Sequence, residues 1–113
     1  MHELGISQGV LDVVLKEAEK AKAKKVSRID LVVGEASGVV DESVRLCFEL
    51  VSADTIAQGA ELTFKHVPIK MRCRGCGHSF SPQGLYESCP ACQKWGAEIT
   101  GGSEFYIDSI EVD

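Results

Sequence analysis

The sequence predicts an α+β fold: a small sheet with two helices on one face, interrupted by an inserted ribbon module that is held by cysteines. Three observations carry this reading. Apolar residues recur at helical spacing in two segments, from Glu3 to about Lys25 and from Asp41 to Val51. Short runs rich in β-branched residues at 26–34, 61–71 and 104–112 alternate apolar with polar positions, as half-buried strands do. Between the last two runs lie paired C-x2-C motifs, Cys73 with Cys76 and Cys89 with Cys92, among glycines and prolines that mark turns.

The first helix is amphipathic through Leu4, Leu11, Val14, Leu15, Ala18 and Ala21, with charged residues on its other face. Glu3 suits the positive end of its dipole, and Lys20, Lys22, Lys24 and Lys25 suit the negative end. Ile29, Leu31 and Val33 alternate through the first strand, which a turn-rich stretch from Gly34 to Val40 follows. Asp41 offers an N-cap for the second helix, where Val44, Cys47, Phe48 and Val51 share one face. Cys47 is expected in the core, as a small hydrophobe. In the stretch from Glu61 to Met71 the alternation shifts phase at Pro68, which predicts one strand with a bulge or an edge there. Glu104 to Val112 is the last strand, and the cysteine stretch before it reads as turns. This order divides the chain into an α+β domain, residues 1–70 and 103–113, and a ribbon domain, residues 71–102.

Composition narrows the class. With 44% apolar and 26% charged residues and no long uncharged apolar run, the 113 residues are those of a globular protein rather than a membrane span or a disordered tail. The opening Met1-His2-Glu3-Leu4 lacks a basic segment and an apolar segment of the signal-peptide kind, so a cytoplasmic location is expected. Thiols are kept reduced there, and the five cysteines therefore point to metal rather than to a disulfide framework. A formal net charge of −5 argues against nucleic-acid binding as the main role. No paired acid and base, activated nucleophile or open metal motif suggests an enzyme.

The two C-x2-C motifs are separated by twelve residues, the arrangement of a Zn(Cys)4 ribbon. Each two-residue spacer lets one tight turn aim two thiolates at a common ion. Four thiolates leave no open coordination position, so such a zinc is structural rather than catalytic. A redox dithiol and a rubredoxin-like iron site are the alternatives. Lys70, Arg72, Arg74 and Lys94 surround the motifs and either compensate the thiolate charge or offer a nucleic-acid surface, with Phe80, Tyr86 and Trp95 to stack on bases. A zinc-ribbon nucleic-acid-binding module is accordingly the alternative function. His78 is either a solvated turn residue or a donor to a thiolate.

The other chemically distinctive segment is the start of the chain. The α-amine of Met1, the amide of His2 and its Nδ1 can close adjacent five- and six-membered chelate rings on one ion, a planar nitrogen field that suits Ni(II) or Cu(II). The amides of His2 and Glu3 lie at or before the predicted helix start, ahead of its hydrogen-bond ladder. A solvated helix start is the plain alternative.

Taken together, the chain resembles the HypA/HybF family of hydrogenase nickel-insertion proteins over essentially its full length. The resemblance rests on the opening MHEL, on Val33 to Ser43 (VGEASGVVDES) leading into Phe48-Glu49-Leu50, on Ala57 to Ala60 (AQGA) before a strand, on the paired cysteines and on the closing Ser109 to Val112 (SIEV). It implies a metallochaperone, not an enzyme, that binds Ni(II) as cargo at its N-terminus and delivers it to the large subunit of [NiFe]-hydrogenase with a GTPase partner, HypB. Carried over, Met1, His2 and Glu3 hold nickel, with His2 the essential ligand, and Cys73, Cys76, Cys89 and Cys92 hold zinc. Asp41 matches an acidic position that approaches the nickel. Gln93 stands where some relatives place a histidine after the last cysteine. Neither nucleic acid nor membrane is expected as a partner, and a homodimer is left open.

Overall fold

The structure is a computed structural model that describes residues 2–82 and 88–113, with the backbone alone for His2. Its elements run α1 (His2–Lys20), β1 (Val26–Gly34), a 3-10 turn (Glu35–Ser37), α2 (Asp41–Val51), β2 (Glu61–Val67), β3 (Lys70–Cys73), β4 (Ser79–Phe80), β5 (Ala97–Gly101) and β6 (Phe105–Val112). They form two three-stranded sheets, one in the order β2-β1-β6 and one in the order β4-β3-β5. The molecule measures 56 × 26 × 16 Å.

In the first sheet β1 lies between a parallel neighbour, β2, and an antiparallel one, β6. The connection from β1 to β2 passes through α2, the crossover that a parallel pair requires. Ile29 and Leu31 from β1, with Leu62 from β2, form a core with Val10, Leu11, Val14 and Ala18 of α1 and Val44 and Phe48 of α2. The positions 10, 11, 14 and 18 follow the helical repeat, so one stripe of α1 is buried. Leu4 and Ala21 fall outside that stripe and are exposed, and Cys47 is only half-buried. The Ser7 hydroxyl, fully buried, donates to the Val44 carbonyl at 3.2 Å and pins α1 to α2. The sheet's other face carries a polar cluster beside Val32 and Tyr106. There the Thr63 and Ser109 hydroxyls donate to Asp30 at 2.5 and 2.7 Å, holding its carboxyl below the usual range, and Arg28 pairs with Asp30 and Glu111. The prediction of two helices on one face of a sheet therefore holds.

Three local expectations are corrected. First, α1 stops at Lys20 rather than near Lys25. Lys22 takes a left-handed conformation, φ 52°, and the amides of Lys22 and Ala23 close back on the carbonyls of Glu19 and Ala18. This is a Schellman stop with lysine where glycine is usual. Second, the stretch 61–71 is not one strand. It splits at Pro68 into β2 of the first sheet and β3 of the second. Proline has no N–H for a ladder, and here the chain changes sheets. Third, the cysteine stretch is not turns alone, because β4 and β5 flank β3.

The two sheets are joined by Pro68-Ile69 on the way out and by Gly102 to Glu104 on the way back, and these connections pass in close contact. A Cβ on Gly34 would lie 2.1 Å from the Gly102 carbonyl oxygen. A Cβ on Gly102, whose φ is +94°, would lie 2.7 Å from the Ile69 Cα. The Gly34 amide donates to the Glu104 carbonyl and the Ala36 amide to that of Gly102, at 2.6 and 2.7 Å. Glycine is therefore required at both positions for the crossing to close.

Candidate metal centre

β3 ends at Cys73, and its pairing with β5 fixes where the first cysteine turn begins. In that turn the Cys73 amide donates to the His78 carbonyl and the Gly77 amide to the Cys73 carbonyl, both at 2.9 Å. The second turn repeats the pattern. The Cys89 amide donates to the Lys94 carbonyl at 3.0 Å and the Gln93 amide to the Cys89 carbonyl at 2.7 Å. Equivalent positions four residues after each leading cysteine are left-handed: Gly77 at φ 78° and Gln93 at φ 62°. The two C-x2-C motifs thus adopt the same loop twice.

The repeat brings the four sulfurs together. All lie within 4.8 Å of one another, with Cys73 Sγ 3.5 Å from Cys92 Sγ and Cys76 Sγ 3.6 Å from Cys89 Sγ. A tetrahedral ion bound at about 2.3 Å to each sulfur would space them by about 3.8 Å. The donor set therefore fits one tetrahedral metal ion. Cys73 and Cys89, which lead each turn, are buried, whereas Cys76 is exposed.

The electrostatics are those of thiols too close to ionise together. Amides of Cys76 and Gly75 donate toward Cys73 and lower its pKa to about 6. At Cys76 the His78 amide pulls the pKa down, but partial desolvation of its sulfur and the neighbouring sulfurs outweigh it and push the thiol up to about 11. Cys89 is raised by burial, yet amides of Cys92 and Ala91 bring it below the ordinary thiol value. A dication among the four sulfurs removes this conflict, since a coordinated thiol is deprotonated outright.

The basic residues around the site are largely spoken for. Arg72 and Arg74 both approach Glu98 on β5, at 3.2 and 3.9 Å. The aliphatic part of Lys94 packs over Gly75, its Cδ 3.3 Å from where a Gly75 Cβ would lie. The His78 ring is exposed and stacks on Phe80, its centroid 6.2 Å away. Trp95 is exposed, and Tyr86 lies outside the described residues.

At the other end, His2 is the first residue of α1, and Glu3 stands in its first turn, half-buried. Met1 and the His2 side chain lie outside the described residues. Asp41 is not the N-cap of α2. Val40 occupies that position, and Asp41 begins the helix. Its Oδ2 lies 2.8 Å from His66 Nε2 on β2, while its Oδ1 is buried without a hydrogen-bond partner. Sequence reading did not connect this pair, because 25 residues separate the two and only the β1-α2-β2 crossover brings them together.

Two helices over one face of a mixed sheet, joined to a four-thiol module with a closed coordination sphere, define a small metal-handling protein whose resident metal site is not catalytic. The chain belongs to the HypA family: the family model described as "Hydrogenase/urease nickel incorporation, metallochaperone, hypA" matches residues 1–112. The hydrogenase maturation factor HypA of Dehalococcoides mccartyi is 54% identical over all of this chain and 95% of its own length. That of Caldanaerobacter subterraneus subsp. tengcongensis is 44% identical, each chain covering all of the other. Among solved structures, a solution structure of HypA protein superposes with a TM-score of 0.73 at 26% identity, covering 99% of this chain and 96% of that one. The Ni metallochaperone HypA of Helicobacter pylori gives 0.68 at 25% identity, covering 97% and 96%. The protein is thus a nickel-incorporation metallochaperone of hydrogenase maturation rather than an enzyme, and it works with the maturation machinery. Among the described residues no helix is long and apolar enough to cross a membrane.

Proposed function

We propose that the chain carries Ni(II) on the Met1 amine, His2 and Glu3 and passes it to the large subunit of a [NiFe]-hydrogenase, with a HypB GTPase as partner, in the cytoplasm. The observation that carries this reading is the full-length family match combined with the opening Met-His-Glu. Two features support it. Helix α1 begins at His2, so that residue's amide stands ahead of the helical ladder, and metal can take it without breaking a helix hydrogen bond. A terminal site also permits ligand exchange, whereas a closed four-sulfur cage binds without delivering.

Zinc is the metal we assign to Cys73, Cys76, Cys89 and Cys92. When bound there it supplies charge and a cross-link between the two cysteine turns, and no reactive position. Residues 71–102 then form a ribbon domain separate from the α+β domain of residues 1–70 and 103–113. The near-tetrahedral sulfur spacing supports zinc over planar-site ions.

The test uses untagged protein with its native terminus. Isothermal titration should give one nickel per chain, with an affinity that falls as pH drops from about 8 to 6, because amine and imidazole must lose protons to bind. Adding one residue before Met1, or His2→Ala, should abolish the planar Ni(II) absorption while zinc content and far-UV circular dichroism stay unchanged. Uptake of stoichiometric nickel with the same spectrum by the extended protein would place the ligands elsewhere.

A further inference from the structure

β6 is an edge strand: β1 pairs one side of it, and among the described residues no strand pairs the other. Helix α1 runs beside it in the same direction and leaves a groove. One end is a cavity of about 430 Å³ between Ile6, Gly9 and Val13 of α1 and Phe105, Tyr106 and Ile107 of β6. It continues past Val13 and Ile107 into a second cavity of about 480 Å³, bounded by Glu17 and Ala21 on one side and Asp108, Ile110 and Val112 on the other. Val13 is 49% exposed although it is apolar. Nothing lies within 4 Å of where a Gly9 side chain would begin. The groove therefore has an apolar floor and an unpaired strand along one wall.

Charge indicates what fits. Among the described residues, the charged ones lining the two cavities are Glu17 and Asp108. Glu17 is met at 3.4 Å by Lys20, whose side chain is 76% exposed. Asp108 sits at the bulge where β6 loses register with β1, between Ile107 opposite Leu31 and Ser109 opposite Asp30. Over residues 104–113 the chain carries Glu104, Asp108, Glu111 and Asp113 and no lysine or arginine. Arg28 compensates Glu111 from β1, at 3.1 Å, and the other three have no cation within ion-pair distance among the described residues. A second copy pairing β6 with β6 would set these carboxylates against each other, and acidic edges of this kind oppose self-association. A basic strand would relieve them.

We propose that this edge is a strand-addition site for an extended segment of a partner protein that alternates apolar residues with lysine or arginine. The backbone of the segment extends the first sheet beyond β6. Its apolar side chains, about 6.7 Å apart on one face, lie along the α1 flank of Gly9 and Val13, where residues four apart are about 6 Å apart. A basic residue on the segment meets Asp108. Backbone pairing of this kind supplies affinity, and the pockets and charges beside it supply selectivity. The inference is independent of where nickel is held.

The test titrates the intact, metal-loaded protein with a seven-residue peptide, acetylated and amidated, that alternates valine with lysine, following backbone amide signals. The expected result is saturable shifts in residues 105–112 and around Gly9 and Val13. Binding should weaken at least tenfold when glutamate replaces lysine in the peptide or when its residues are reordered into separate valine and lysine blocks. Gly9→Leu, which fills the groove at an open helical position, should lose binding at least tenfold with unchanged circular dichroism. Asp108→Lys should reverse the preference toward the glutamate peptide. Absence of saturable shifts in β6, equal binding of the block peptide, or insensitivity to both variants would overturn the proposal. Sedimentation equilibrium showing a dimer that Gly9→Leu dissociates would instead assign the edge to a second copy.

Discussion

The two sheets of this molecule are held together by different forces. The β2-β1-β6 sheet and its helices bury Val10, Leu11, Val14, Ala18, Val26, Ile29, Leu31, Val44, Phe48, Ala57 and Leu62 in one apolar cluster. Around the β4-β3-β5 sheet the buried apolar residues, among those described, are Met71, Cys73 and Cys89, two of which belong to the sulfur cluster. A module this small has little core to build, and its four clustered thiols offer a metal cross-link in that place. The first sheet thus rests on apolar burial, whereas the second has a four-thiol metal site where a core would be.

Substitutions can break this contrast, beginning with the largest effect. Cys73→Ala should cost the module its metal and its order, because removing one of four ligands weakens a site of the kind whose apparent binding energy is about 10–16 kcal/mol and opens it to exchange. The helices and the first sheet should survive it, which amide exchange and metal analysis will read separately. Phe48→Ala should do the reverse. Phe48 is 2% exposed between the helices and the sheet, so truncation should destabilise the first unit by about 3–5 kcal/mol in urea unfolding, with the module's metal content unchanged under native conditions.

The crossing between the units is the third point of attack. Gly34→Ala would drive a Cβ into the Gly102 carbonyl, and the backbone shift should cost about 1–3 kcal/mol and loosen the junction. The smallest effect sharpens the contrast rather than breaking it. Gln93 holds the left-handed position that glycine holds in the first cysteine turn, so Gln93→Gly should relieve strain of about 0.5–1 kcal/mol. Because the relief lies in the module, it should slow metal loss to a chelator severalfold at most and leave the melting temperature of the first unit unchanged.

What could be read from the sequence follows the same division. The cysteine site was legible from spacing, because two-residue spacers constrain a local turn whatever surrounds them. β1 was legible at both ends, since Ile29, Leu31 and Val33 alternate between a proper start and Gly34. The misreadings arise where tertiary contact overrides local preference. Lys22 ends α1 in a conformation for which lysine gives no signal. Pro68 looked like an irregularity in one strand because nothing local says that the chain is leaving one sheet for another. Asp41 has the chemistry of an N-cap, yet its carboxylate reaches His66, a partner that the crossover supplies. The family resemblance gave the function, whereas the residues alone left the start of the chain open between a nickel chelate and a solvated helix end.

Removing the metal from the intact protein tests the two-force account most directly. Amide spectra recorded before and after treatment with a strong chelator should show residues 71–80 and 89–101 losing dispersion and exchange protection, while residues 4–67 and 105–112 keep theirs. Loss of protection across β1, β2 and both helices, or an unchanged module once metal analysis shows the ion gone, would contradict it.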